Sequence, residues 1–358
     1  MLGLTLMAAI LGLGLVMKAS ARAIFGMLVL VWAALVVAHL PIPGFSPIGR
    51  VLGGSLAGWI GLGVVVALVL IYRRMLGAIR TRAEAKEPQS PAANPGSFSE
   101  AELDRYARHI MLREIGGPGQ KRLKQAKVLV VGAGGLGSPA LLYLAAAGAG
   151  RIGVVDDDVV SNSNLQRQVI HRDADLGMPK VFSAQKAMLA LNPHIEVLPY
   201  NRRLSAEDAE GLVAEYDLVL DGTDNFDTRY LVNAACVTTG TPLISGAITQ
   251  WEGQLSLYDP AKGAPCYACV FPEAPAAGLA PTCAEAGVVG ALPGVVGSMM
   301  ATEAIKEITG AGQSARGRLM IYDALWGESR QFGVKRRADC AVCGEGRGAG
   351  MVNPERAS

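Results

Sequence analysis

The segment "VLVVGAGGLG" (128–137) constrains the fold of this chain more than any other stretch. An apolar run suited to a buried strand enters a loop with glycines at Gly132, Gly134 and Gly137, the G-x-G-x-x-G spacing. That spacing turns a strand sharply into a helix whose first backbone N–H groups face an anion. A phosphate-bearing ligand is therefore expected. NAD and ATP satisfy the loop equally well, so the loop alone does not choose between redox and phosphate chemistry.

The surrounding pattern fits. From residue 127 onward, "KVLVV", "RIGVVD" and "YDLVLDGTDN" read as strands. "SPALLYLAAAG" and "SAQKAMLALNP" read as helices between them. Apolar strands alternating with helices predict an α/β, Rossmann-like, doubly wound parallel sheet. "TPLISGA" and "GQLSLYD" add strands, and "GVVGSMMATEAIKEITG" reads as a buried helix with a glycine stop. Before the glycine loop, "FSEAELDRYARHIML" opens a helix. Ser99 and Glu102 form a capping box there, and Phe98 and Leu103 are the expected hydrophobic staple.

Mean hydropathy is +0.30, high for a soluble enzyme, and the excess is local. Residues 2–17, 24–40 and 51–72 are nearly uncharged apolar runs. The third is long enough to cross a bilayer, which takes ~20 residues. A cleaved signal peptide fits poorly, because no basic residue precedes the first run and two more runs follow. Two or three transmembrane helices within residues 1–75 are expected, with three preferred. Lys18 and Arg22 follow the first run, and Arg73, Arg74, Arg80 and Arg82 follow the third. With three spans both clusters lie on one side. That side is the cytoplasm by the positive-inside tendency, which gives a multi-pass inner-membrane location with the later domain inside. Residues 76–98, which contain "AEAKEPQSPAANPGS", read as a flexible linker, residues 99–346 as the globular domain and 347–358 as a disordered tail. A net charge of +2 gives no reason to expect a nucleic-acid partner.

Asp156 ends the second strand, about 20 residues after the loop, where a carboxylate grips ribose hydroxyls. "SNSNLQRQ" (161–168) then brings Asn164, Gln166 and Arg167, and Lys180 follows. A triphosphate carries about two more charges than a dinucleotide, and its transfer needs cations on the departing pyrophosphate. Arg167 and Lys180 suit that need, although each alone could be an ordinary surface charge. "DGTDN" supplies Asp224 and Asn225 at a strand's C-terminal end. Asp224 could hold Mg²⁺ there. An Asx turn closing the strand is the plainer alternative.

Cys266 and Cys269 form one C-x-x-C, and Cys340 and Cys343 a second. Two such pairs in one domain predict a structural Cys₄ Zn²⁺ site. A redox pair would need only one of them. Cys236 lies in an apolar helical stretch and is expected in the core. Cys283, in "PTCAEAG", is either a reactive thiol or a loop cysteine. The histidines form no triad, and an ionised carboxylate needs no general base to become a nucleophile.

Taken together, "RYARHIMLREIG", "GAGGLGSP", "DDDVVSNSNLQRQ", "DGTDN", "CYACVFP" and "PTCAEAGVVGALPGVVGS" resemble the ThiF/MoeB/HesA family in order and spacing over residues 99–345. These are bacterial relatives of ubiquitin-activating enzymes, and the likeness is nearest to the molybdopterin-synthase adenylyltransferase branch. The resemblance implies ATP, and adenylation of the C-terminal glycine of a small ubiquitin-like sulfur carrier. It also implies a molybdopterin, thiamine or related sulfur pathway. It places Gly135 against the nucleotide phosphates and Asp156 on the ribose. Ser163, Asn164, Leu165, Gln166, Arg167 and Lys180 would lie around the phosphates, and Asp224 with Asn225 at Mg²⁺. It further implies a homodimer in which Arg108 reaches the neighbouring subunit's site, and a possible acyl-carrying role for Cys283. No rhodanese segment follows the second cysteine pair, so a separate sulfurtransferase is the expected source of sulfur. An NAD-dependent oxidoreductase, or a membrane-tethered binding protein without catalysis, would account for fewer of these residues.

Overall fold

The computed structural model describes residues 2–17, 20–41, 49, 51–84, 97–275 and 286–344. The chain forms two units, Met1–Ala92 and Ala93–Ser358.

The first unit is helical: α1 (Leu2–Val16), α2 (Ala21–Ala38) and α3 (Leu56–Glu84). Glycines let these helices approach closely. A Cβ on Gly63 would lie 2.3 Å from the Trp32 ring, and one on Gly14 would lie 2.7 Å from Ile24. The Trp32 indole N–H donates to the carbonyl of Trp59 at 2.8 Å. Within α3, Leu56–Leu76 has a mean hydropathy of 2.0 and is almost unburied. It is the one helix among the described residues long and apolar enough to cross a membrane. The apolar parts of the others, Leu2–Gly14 and Ala23–Ala38, rise only about 20 and 24 Å at 1.5 Å per residue. A hydrocarbon core is ~30 Å thick.

The second unit is an eight-stranded sheet of order β3-β2-β1-β4-β5-β6-β7-β8. Its strands are β1 (Lys127–Val131), β2 (Arg151–Val155), β3 (Glu196–Tyr200), β4 (Leu218–Asp221), β5 (Leu243–Ile248), β6 (Glu252–Tyr258), β7 (Arg318–Asp323) and β8 (Glu328–Gly333). The first five run parallel, as the alternating pattern predicts. The remainder corrects that expectation, because β6, β7 and β8 extend the sheet antiparallel.

Strand alternation divides the core. Val128, Val130, Ile152, Val154, Leu218 and Leu220 face one way, onto α6 (Gly137–Ala147), α7 (Lys180–Leu191) and α11 (Ala291–Thr309). Leu129, Val131 and Val219 face the other, onto α8 (Ala206–Val213), α9 (Phe226–Thr239) and the short α10 (Tyr267–Val270). With apolar residues required on both faces, these strands read as unbroken apolar runs. Gly310, with φ +70°, ends α11 as the glycine stop predicted.

α4 (Glu100–Ile110) begins with the capping box expected: the Ser99 hydroxyl accepts from Glu102 N at 3.3 Å, and Ser99 N donates to the Glu102 carboxylate at 2.9 Å. The staple differs. Phe98 packs edge-on to Tyr106, and Leu103 is half exposed. α5 (Gly116–Gln125) then leads into β1.

Candidate active site and cysteine cluster

Strand order reverses between β1 and β4, and a crevice opens there at the C-terminal ends of the parallel strands. In open α/β sheets ligands bind at such a point. The cavity has a volume of about 1010 Å³, at the top of the usual range for ligand sites. Gly132, Gly134 and Gly135 line it after β1, Asp156 after β2, and Asp224 and Asn225 after β4.

Two glycines of the loop are required by geometry. Gly132 has φ +95°, which L side chains rarely adopt. A Cβ on Gly137 would sit 1.9 Å from the Gly132 carbonyl oxygen, so the turn closes only without one. Gly135 packs on α11, where its Cβ would meet Pro293 at 3.1 Å.

Most polar groups around the cavity are paired with a neighbouring side chain or backbone group. Asp156 accepts backbone N–H bonds from Ala133 at 2.7 Å and Asp158 at 2.9 Å. Lys180, buried at the start of α7, holds Asp158 at 2.8 Å. Arg203 holds Asp157 at 3.5 Å. Arg167 donates to the Ser163 carbonyl at 3.3 Å and to the Asn164 side chain at 3.2 Å. Asn225 caps α9, accepting from Thr228 N at 2.8 Å, while Asp224 is exposed. Beneath Asp224, buried Asp221 accepts from Thr223 N, the Thr223 hydroxyl, the Ser245 hydroxyl and Arg229, which fixes the strand end.

The sequence-predicted residues thus divide. Gly135, Asp156, Arg167, Lys180, Asp224 and Asn225 converge on the cavity. Ser163 and Asn164 stand behind Arg167 and hold its guanidinium. Leu165 closes the 3₁₀ turn through its N–H to the Asn162 carbonyl. Gln166 packs on Gly290 at the start of α11. Arg108 is exposed on α4 and does not line this cavity. Cys283 lies outside the described residues. Asp157, Asp158, Gln168, Arg202 and Arg203 also line the cavity and were not singled out from sequence. The "DDD" run after β2 was the available signal for the first two.

The four cysteines of the two C-x-x-C pairs meet in one buried cluster. Cys266 and Cys269 Sγ are 3.8 Å apart, Cys266 and Cys340 3.6 Å, and Cys269 and Cys343 3.4 Å. Four sulfurs bound tetrahedrally at ~2.3 Å would be about 3.8 Å apart, so the donors fit Zn²⁺. Burial raises the Cys340 thiol, but N–H donors from Cys343 and Val342 outweigh it and bring it to about 7. Burial pushes the Cys266 and Cys343 thiols up instead, so Cys340 is the member of the cluster shifted towards thiolate, the ligand form. Cys236 is buried in the core, as expected, and burial pushes its thiol up.

A doubly wound sheet with a glycine-loop cavity at its switch point and a Cys₄ cluster defines a nucleotide-binding α/β protein with four cysteines that could hold a metal ion. The ThiF family description matches residues 106–342. A sulfur carrier protein adenylyltransferase of Thermus thermophilus is 50% identical over 252 residues, which is 69% of this chain and 93% of the relative. The SAMP-activating enzyme E1 of Haloferax volcanii is 49% identical over 70% of this chain and 92% of its own length. Against a probable adenylyltransferase/sulfurtransferase MoeZ of Mycobacterium tuberculosis the identity is 51%, with 64% of that longer protein covered. Among solved structures, E. coli MccB with MccA-N7isoASN superimposes with a TM-score of 0.60 at 25% identity, covering 67% of this chain and 74% of that one. The chain belongs to the ThiF family.

Proposed function

We propose that this chain is an adenylyltransferase that uses ATP to activate the C-terminal glycine carboxylate of a small ubiquitin-like sulfur carrier, in molybdopterin or related sulfur-cofactor synthesis. The observation that carries the reading is the convergence of a glycine loop, a ribose-side carboxylate and two cations on one cavity at the switch point. The relatives named sulfur carrier protein adenylyltransferase and SAMP-activating enzyme E1, at about half identity over most of their length, support it.

The reaction joins a carboxylate oxygen to the α-phosphorus and breaks the bond between the α-phosphorus and the bridging oxygen to the β-phosphate, so that pyrophosphate leaves. The attacking carboxylate is ionised at neutral pH and requires no base. Loop amides at Gly134 and Gly135, with Arg167 and Lys180, face the triphosphate, and Asp156 faces the ribose. Asp224, beside Asn225, is the carboxylate offered to Mg²⁺, which would offset charge on the departing pyrophosphate. Fixed donors of this kind act strongly because they need no reorganisation during the reaction. Zn²⁺ at the Cys₄ cluster is structural, since four thiolates leave no open position.

Three further elements belong to the proposal. Arg108, unused in its own chain's cavity, acts across a homodimer on the partner's phosphates. The helical unit anchors the enzyme in the inner membrane, by α3 alone or by two or three spans, with the α/β unit in the cytoplasm. Sulfur reaches the activated carrier from a separate sulfurtransferase, either directly or through Cys283.

The test uses the full chain in detergent with a ubiquitin-like carrier ending in glycine. Labelled pyrophosphate should exchange into ATP only when the carrier is present. Saturable NADH binding without carrier-dependent exchange would overturn the reading in favour of an oxidoreductase.

A further inference from the structure

The glycine loop is held from behind by a buried chain of polar groups that the adenylation reading leaves unused. His171 is buried, and its Nε2 lies 2.9 Å from the Ala133 carbonyl oxygen, inside the loop. Its Nδ1 lies 2.9 Å from the Ser183 hydroxyl on α7. That hydroxyl is 3.0 Å from Asp175, whose other oxygen meets Lys186 at 2.7 Å. Ser183 and Asp175 are buried as well.

We infer that His171 is a positioning residue for phosphate binding: its Nε2–H fixes the Ala133 carbonyl and thereby aims the Gly134 N–H into the cavity. The step is geometric. The peptide joining Ala133 to Gly134 is trans, so its C=O and N–H point in opposite directions. The C=O points at a buried imidazole, and Gly134 lines the cavity on the other side. The preceding peptide is fixed independently, because Ala133 N donates to Asp156. Both sides of Ala133 are thus clamped, one by the ribose-side carboxylate and one by His171.

Glycine makes the clamp necessary. With Gly134 following it, this peptide can rotate at little steric cost. Rotation would turn a carbonyl oxygen towards the phosphates in place of an N–H. Burial lowers the His171 pKa, so the ring is neutral and carries one N–H. A carbonyl only accepts, which requires that proton on Nε2; the Ser183 hydroxyl has a single proton to give, to Nδ1 or to Asp175 but not to both. The 2.9 Å contact with that hydroxyl, itself beside Asp175, limits the ring's rotation.

This inference rests on ATP being the ligand, and its test separates the two. Binding of a non-hydrolysable ATP analogue and of adenosine is measured by calorimetry on the full chain in detergent. Measurable analogue binding by wild type is the first requirement, and its failure would defeat the ATP reading itself. His171→Asn, too short to reach Ala133, and His171→Met, with no donor, should bind the analogue roughly 10- to 100-fold more weakly, since a buried acceptor is left unpaired and the loop amide is freed. Adenosine affinity should not move. His171→Gln places an amide N–H near the Nε2 position and should restore most of the loss. Equal analogue binding by wild type and a folded Asn or Met variant would overturn the clamp. A parallel fall in adenosine affinity would also overturn it, by showing general damage to the site. If one of those variants fails to fold, the other and the Gln rescue carry the test.

Discussion

The cavity and the cysteine cluster both gather charged or ligating groups, but they keep them in opposite conditions. Around the cavity most of these groups already have a partner, with exposed Asp224 as the exception: Lys180 with Asp158, Arg203 with Asp157, Arg167 with Asn164, and Asn225 with the first turn of α9. In the cluster the four sulfurs have chiefly one another, all within 4.8 Å, with an N–H from Arg337 to Cys269 at 3.4 Å. The difference teaches how the two sites are used. A ligand that comes and goes is served by groups that rest on substitutes, since a buried charge without a partner is costly in the empty state. A resident cation is served by donors that converge and have nowhere else to go, so its binding energy becomes folding energy.

If that contrast holds, damage to the cavity should stop chemistry without moving stability. Asp224→Ala is the sharpest case. The side chain is exposed and no hydrogen bond or ion pair is drawn to it among the described residues, so the fold loses little. Carrier-dependent pyrophosphate exchange should fall below detection, while the melting temperature stays within about 2 °C of wild type, the usual range for a surface substitution. Exchange near the wild-type rate would remove Asp224 from the reaction, and a large fall in melting temperature would break the comparison.

Damage to the cluster should do the reverse. Cys340→Ser removes a ligand that joins the 266–269 segment to residues 74 positions later. Cross-linking a loop of that length contributes ~4 kcal/mol in the chain-entropy picture, which at this size is roughly 10 °C in melting temperature. Metal analysis should find one Zn²⁺ per wild-type chain and less in the variant, with exchange activity lost only as the protein unfolds. A variant that is metal-free and equally stable would show that the cluster is not a structural zinc centre.

The same contrast explains what could be read from the sequence. The glycine loop, β1, β2 and β4 were legible because strand, turn and helix are specified within a few residues. The cysteine pairs were legible because ligand spacing is local, even though the pairs themselves are far apart. β3 and β8 were not, for different reasons. β3, "EVLPY", is an edge strand that tolerates Pro199. β8, "ESRQFG", is exposed at every position and has no apolar alternation to betray it. The resting partners of the cavity were also hidden. Asp158 meets Lys180 22 residues away, and Ala133 meets His171 38 residues away; only the folded chain brings them together. For Ser163, Leu165 and Gln166 the resemblance supplied a segment, whereas the structure separates Arg167, which lines the cavity, from the residues behind it.

The smallest expected effect tests whether Asp158 is a placeholder. Lys180 is almost fully buried and Asp158 largely exposed, so the pair is half solvated and its strength is near that of a surface pair, about 0.2–1 kcal/mol. In the proposed reaction Lys180 would exchange Asp158 for phosphate. Asp158→Asn removes the competing charge but keeps a side-chain oxygen and the backbone bond from Lys180 N to the Asp158 carbonyl. The KM for ATP should therefore fall about two- to fivefold, with kcat little changed, and the gain should shrink as salt is added. If KM rises instead, Asp158 orients Lys180 for the phosphate and is part of the working site. The cavity would then resemble the cluster in holding at least one charge where the bound state needs it.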